Sequence, residues 1–104
     1  MLFRSVVTMH IGSGTRTVRP ADDCPTIVTA AMISANSAAS MIDFLFSGVL
    51  HRYPGLKLMY AESQIGWIPY LLERADDVWK QHRAWVSSGV TLAEPPSTYY
   101  NRQV

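Results

Sequence analysis

A chain of 104 residues, 48% of them hydrophobic and 16% charged, suits one small packed domain and is too short for two. That balance excludes a disordered or collagen-like chain. A formal charge of +1, with Arg and Lys scattered, leaves no electrostatic footprint for nucleic acid or an acidic membrane surface. The lone Cys24 permits no internal disulfide and points to a reducing cytoplasm. No signal peptide is read after Met1-Leu2-Phe3-Arg4, and Asp43, Ser47 and Arg52 interrupt the apolar stretches, so no membrane-spanning helix is expected.

Ser5 to Ile11 reads as the first strand, because Val6, Thr8 and His10 alternate with Val7, Met9 and Ile11. Both sets are largely apolar, which suits a parallel strand covered on both faces. Gly12 to Pro25 is a long loop rich in turn formers. Residues 26–32 are ambiguous, since Thr26, Ile27, Val28 and Thr29 favour extension whereas Ala30, Ala31 and Met32 favour a helix. A helix then starts at Asn36 or Ser37 and carries Ala38, Met41, Ile42, Leu45, Val49 and Leu50 on one stripe, with Ser40, Asp43 and Ser47 away from it. Pro54 and Gly55 end it near Arg52.

Leu56 to Ala61 reads as the second strand, with Leu58, Tyr60 and Glu62 on one parity and Lys57, Met59 and Ala61 on the other. The clearest helix follows. Its stripe is Ile68, Leu71, Leu72, Ala75, Val78, Trp79, His82, Trp85 and Val86, and its wet face is Glu73, Arg74, Asp76, Asp77, Lys80, Gln81 and Arg83. Pro69 is tolerable in the first turn, where backbone donors have no intrahelical partner. Gly89 and Pro95-Pro96 read as loop, and Tyr99 to Val104 as the start of a further element. The order strand, helix, strand, helix implies parallel strands with crossover connections. Two parallel strands with apolar faces leave edges unpaired, so the chain is expected to belong to a larger barrel or to associate.

Chemistry concentrates where strands run into loops or helices. His10 ends the first strand, and a neutral imidazole there can ligate a metal or shuttle a proton; a hydrogen-bonded core histidine is the plainer reading. Glu62 ends the second strand, where a carboxylate can ligate metal, act as acid or base, or hold a water; its plainer role is a carboxylate at a helix N-terminus. Adjacent strands lie about 4.8 Å apart, close enough for the two side chains to share a ligand. Gly12-Ser13-Gly14 lacks the spacing and Lys of a phosphate loop. His51 and His82 lack a second ligand at a metal-binding spacing and read as helix surface or boundary. Trp67, Trp79 and Trp85 read as packing, although Trp67 beside Glu62 could wall a substrate pocket.

Three pieces carry a family resemblance: Met9-His10-Ile11-Gly12-Ser13; Phe46-Ser47-Gly48-Val49-Leu50-His51-Arg52-Tyr53-Pro54-Gly55-Leu56-Lys57; and the run from Ala61-Glu62-Ser63-Gln64-Ile65-Gly66-Trp67 to Asp76. In order and spacing they resemble the amidohydrolase-related family, whose members include metal-dependent hydrolases and the aminocarboxymuconate-semialdehyde decarboxylase group. The resemblance implies a (β/α)8 TIM barrel with a divalent metal at its mouth, zinc being the expected ion. His10 matches the metal-ligating His of the fifth strand. Glu62 stands where the decarboxylases carry a catalytic His, and a Glu at that position resembles another large branch of the family; hydrolysis and non-oxidative decarboxylation both stay open. The family's amino-terminal His-x-His pair and late strand-end Asp have no counterpart here.

The expectation is an α/β fragment, a partial barrel of about two βα units over residues 1–104. In the complete enzyme, a hydrolase or non-oxidative decarboxylase of a small organic acid, amide or ester, His10 binds the metal, Glu62 is catalytic and Trp67 contacts substrate. Such a parent is expected to be a cytoplasmic homo-oligomer, with no nucleic-acid or membrane partner. The alternative is an inactive piece, possessing no metal of its own, that associates through its barrel edges.

Overall fold

The computed structural model describes residues 5–11, 16–82 and 92–104. The Gly12-Ser13-Gly14 bend and the positions Arg83, Trp85, Val86 and Gly89 lie outside them. The elements run β1 (Val6–His10), α1 (Thr26–Ala31), α2 (Ala35–Phe46), α3 (Val49–Arg52), β2 (Lys57–Ala61), α4 (Trp67–His82) and α5 (Pro96–Gln103). The fold is α/β. Among the described residues β1 and β2 form a parallel two-stranded sheet, and the register pairs Val6 with Lys57, Met9 with Tyr60 and His10 with Ala61.

In-register neighbours share a face of the sheet. Val7 and Met9 therefore lie with Leu58 and Tyr60, while Val6, Thr8 and His10 lie with Lys57, Met59 and Ala61. The first face meets the helices. Met41 and Leu45 of α2, Leu50 of α3, Leu58, Leu92 and Tyr99 form the buried core, with Met9, Tyr60, Trp67 and Leu71 packed against it. On the second face Val6 is 52% exposed and Met59 49%. The expectation of cover on both faces is met on one: among the described residues helices pack on the Leu58 side, where Val7 is still 47% exposed, and none packs on the other.

The ambiguous stretch resolves as the short helix α1, in which Ile27 is exposed and no residue is buried. By length and composition alone Thr26–Phe46 could cross a membrane, so Asp43 does not remove that property. Core helices of folded domains pass the same test. Here the helical ladder is interrupted between Ala31 and Ala35, and Met41 and Leu45 are buried in the core.

The expected single helix to Arg52 is also corrected. Gly48 takes a left-handed backbone, φ 80°, which glycine adopts without steric cost and which ends α2 before α3 begins. The Ser47 hydroxyl serves both ends, donating to the Phe44 carbonyl at 3.0 Å and accepting the Val49 amide at 3.3 Å. Ser40 does not point away from the core side, since its hydroxyl reaches Met9 Sδ (3.6 Å) and the Tyr60 hydroxyl (3.1 Å) on the sheet.

Pro95 and Pro96 open α5 rather than lying in a loop, with Pro96 in the first turn. Asp76, assigned to the wet face of α4, caps this helix instead: its carboxylate accepts the Ser97 amide at 2.9 Å and the Ser97 hydroxyl at 2.6 Å. At the other end of α5 the Gln103 amide donates to the carbonyls of Tyr53 and Leu56. These contacts fasten α5 beside the start of β2. Tyr99 is buried in the core and its hydroxyl meets His51 Nδ1 at 3.1 Å, so His51 is tied to the C-terminal helix.

Candidate functional site

At the carboxyl end of the sheet the Ile11 amide donates to the Ala61 carbonyl at 3.2 Å, continuing the parallel pairing one step past β1. His10 is the last residue of that strand, on the face the helices leave open. Its Nδ1 lies 2.8 Å from the Ile11 carbonyl oxygen. A carbonyl only accepts, so Nδ1 carries the hydrogen and Nε2 is the atom turned to the site. Nε2 stands 3.2 Å from Glu62 Oε2, and both side chains are largely in solvent, 53% and 69% exposed.

Strand alternation would place Glu62 with Leu58 and Tyr60, on the helix-covered face opposite His10. The contact forms because Glu62 leaves the strand conformation. Its φ is 59°, in the left-handed region, and Gln64 repeats this at 61°. A left-handed backbone in a residue with a Cβ costs about 1–2 kcal/mol, so surrounding contacts must hold it.

Those contacts centre on Ser63, which is 3% exposed. Its hydroxyl donates to the Ala61 carbonyl at 3.1 Å and lies 2.8 Å from Ser37 Oγ. With its one proton committed to Ala61, Ser63 accepts from Ser37. The Ser63 carbonyl accepts the Trp67 indole N–H at 2.6 Å. Trp67, partly buried at the start of α4, also packs against the core. The structure thus brings His10 and Glu62 together and links Trp67 to the backbone beside Glu62.

Sequence reasoning gave Ser63 no role, placed Ser40 away from the buried stripe, and considered Ser37 only as a helix start. A signal for Ser37 was present: Ser37, Met41 and Leu45 recur every four residues, so a hydroxyl occupies the buried stripe of α2 and needs a buried partner. Tyr60, under Ser40, has its hydroxyl pKa raised from the ordinary 10.0 by burial and by the charge of Asp43, with the Ser40 hydrogen bond opposing.

The His10–Glu62 pair can act in two ways. With both ring nitrogens protonated it is an ion pair. With Nε2 unprotonated, a nitrogen and an oxygen donor face one point. Two donors each about 2.1 Å from a tetrahedral ion stand about 3.4 Å apart, close to the observed separation. The Nδ1–H bond to a backbone carbonyl is the outer contact that orients a ligating histidine. Among the described residues no group of three or more His, Cys, Asp or Glu is placed to hold a metal. A catalytic zinc takes about three protein ligands. The donor set therefore fits two positions around a divalent ion, and further ligands would have to come from elsewhere. No protein-family model matches the chain, and no curated protein matches it.

Proposed function

We propose that this chain forms part of the mouth of a metal-dependent barrel enzyme of the amidohydrolase-related type, acting on a small organic acid, amide or ester by hydrolysis or non-oxidative decarboxylation. The observation that carries the reading is the His10–Glu62 pair, 3.2 Å apart at the carboxyl end of two parallel strands. Support also comes from the sheet having, among the described residues, helices on one face only. A barrel wall needs its outer face covered by helices and its inner face free for the other strands. Val6, Thr8 and His10 lie on the free face, which is where residues of a barrel interior would lie.

When bound, a divalent ion, zinc being the expected one, would polarise a substrate carbonyl or carboxylate and activate water. In this chain His10 offers Nε2, with its ring held by the Ile11 carbonyl. Glu62 offers a carboxylate oxygen to the same point and is suited to orient water or substrate. Trp67 is the residue that would wall the substrate space beside Glu62. The expected ligand is a small molecule, in a cytoplasmic protein.

Zinc titration of the chain by calorimetry tests this reading. Binding is expected in the wild type and weaker by at least about tenfold in His10→Ala, the loss that even an outer partner of a ligand brings. Equal affinity in the two proteins would overturn the ligand assignment.

A second reading is supported by Val6 and Met59, exposed on the open face, and Val7, exposed on the other: an inactive piece that self-associates through its edges. Sedimentation distinguishes it, since a folded monomer at all concentrations would contradict association.

A further inference from the structure

We propose that Ser63, clamped by Ser37 and Trp67, is a positioning residue that holds Glu62 in its left-handed turn and so delivers the carboxylate to His10. The inference rests on reading His10 and Glu62 as one site, and assigns that site a support on the covered side of the sheet.

Glu62 is exposed and its side chain touches His10, a neighbour that is itself exposed, so the pair cannot fix the bend unaided. Ser63 is different. It is buried between two left-handed residues, Glu62 and Gln64, and three contacts converge on it. Its hydroxyl ties it back to the Ala61 carbonyl at the strand end and across to Ser37 in α2, and its carbonyl is held by the indole of Trp67 in α4. The bend is thereby fixed to the strand before it, the helix after it and the helix packed beneath the sheet. Without that fixation the chain at Glu62 would relax toward extended backbone. Alternation would then turn the carboxylate to the face opposite His10.

The two serines also allow positioning to be separated from stability. Removing one hydroxyl strands a buried partner, whereas replacing both with Ala leaves neither serine unpaired; the Ala61 carbonyl loses the Ser63 donor but keeps the Ile11 amide, so the double change is expected to cost little. A merely structural pair would be restored by the double change. A positioning pair would regain stability and still lose the Glu62 placement.

The experiment uses the metal-free chain at one fixed pH and reads the His10 ring nitrogens by NMR. In the wild-type background, Glu62→Gln is expected to shift the Nε2 resonance. In the Ser37→Ala/Ser63→Ala background, with an unfolding midpoint near wild type, the same substitution is expected to shift it severalfold less. A full shift in that background would overturn the positioning role. If the double variant does not fold, Trp67→Phe decides: it removes the N–H donor to Ser63 together with part of the ring packed on the core, so it is read in protein shown to be folded by its unfolding transition, where a reduced response supports the clamp and an unchanged response overturns it. No response in the wild-type background would overturn the His10–Glu62 pairing itself, and the inference with it. Zinc is absent throughout, so failure of the metal reading leaves the result intact.

Discussion

The two faces of the β1–β2 sheet are built to different standards. On one, Leu58 is buried, Met9 and Tyr60 pack against the core, and Ser40 bridges them by hydrogen bonds. On the other, Val6 and Met59 stand about half exposed around Thr8 and His10. The covered face supplies the stability. The open face carries the candidate chemistry, but its key carboxylate is aimed by a bend anchored on the covered side. A site on an open surface can thus be held in place from behind the sheet.

The contrast predicts a graded set of effects. The largest belongs to the covered face. Leu45→Ala or Leu58→Ala removes a buried side chain from the core and should cost about 2–5 kcal/mol in urea unfolding. A loss under about 1 kcal/mol would mean that the site collapses freely and that this face is not the core. Next is the Asp76 cap on α5. Asp76→Ala strands the Ser97 amide and hydroxyl and should cost about 1–2 kcal/mol, with faster amide exchange in the first turn of α5.

Tyr60 gives a smaller, pH-dependent effect. Burial raises its folded pKa above the ordinary 10.0, so the unfolded chain loses this proton first. This contribution is complete below pH 10 and declines as pH rises through 10 toward the folded value. Tyr60→Phe should flatten that alkaline decline, as read from unfolding midpoints across the range. Smallest is the open face. Met59→Lys should change stability by no more than about 0.5 kcal/mol, whereas a core-sized loss would show that this face is covered in solution.

The elements were legible in the sequence, but the contrast between the faces was not, since both strands carry apolar residues on both parities. Period-two alternation in Val6–His10 and Lys57–Ala61 identifies both strands, and the Met41–Leu45 spacing identifies the buried stripe of α2. The positions of His10 and Glu62 at strand ends were legible too. Their approach to one shared ligand was expected from strand spacing; the route was not, because the register puts Glu62 on the opposite parity from His10 and only its left-handed turn, next to a residue bonded to the distant Ser37, brings the two together. Gly48 was hidden for a related reason, since a glycine inside an apolar pattern can stay helical and only the local backbone shows that it does not. Asp76 looked like solvent-facing charge because its partner, Ser97, lies beyond the helix that carries it.

The account depends most directly on His10 and Glu62 meeting at the carboxyl end of parallel β1 and β2. A nuclear Overhauser measurement on the chain in solution tests this without metal or substrate. Cross-peaks between the His10 ring and the Glu62 side chain are predicted, together with slow exchange of the Ile11 amide that bonds to Ala61. Their absence, with Ile11 exchanging as in an unstructured chain, would contradict the account.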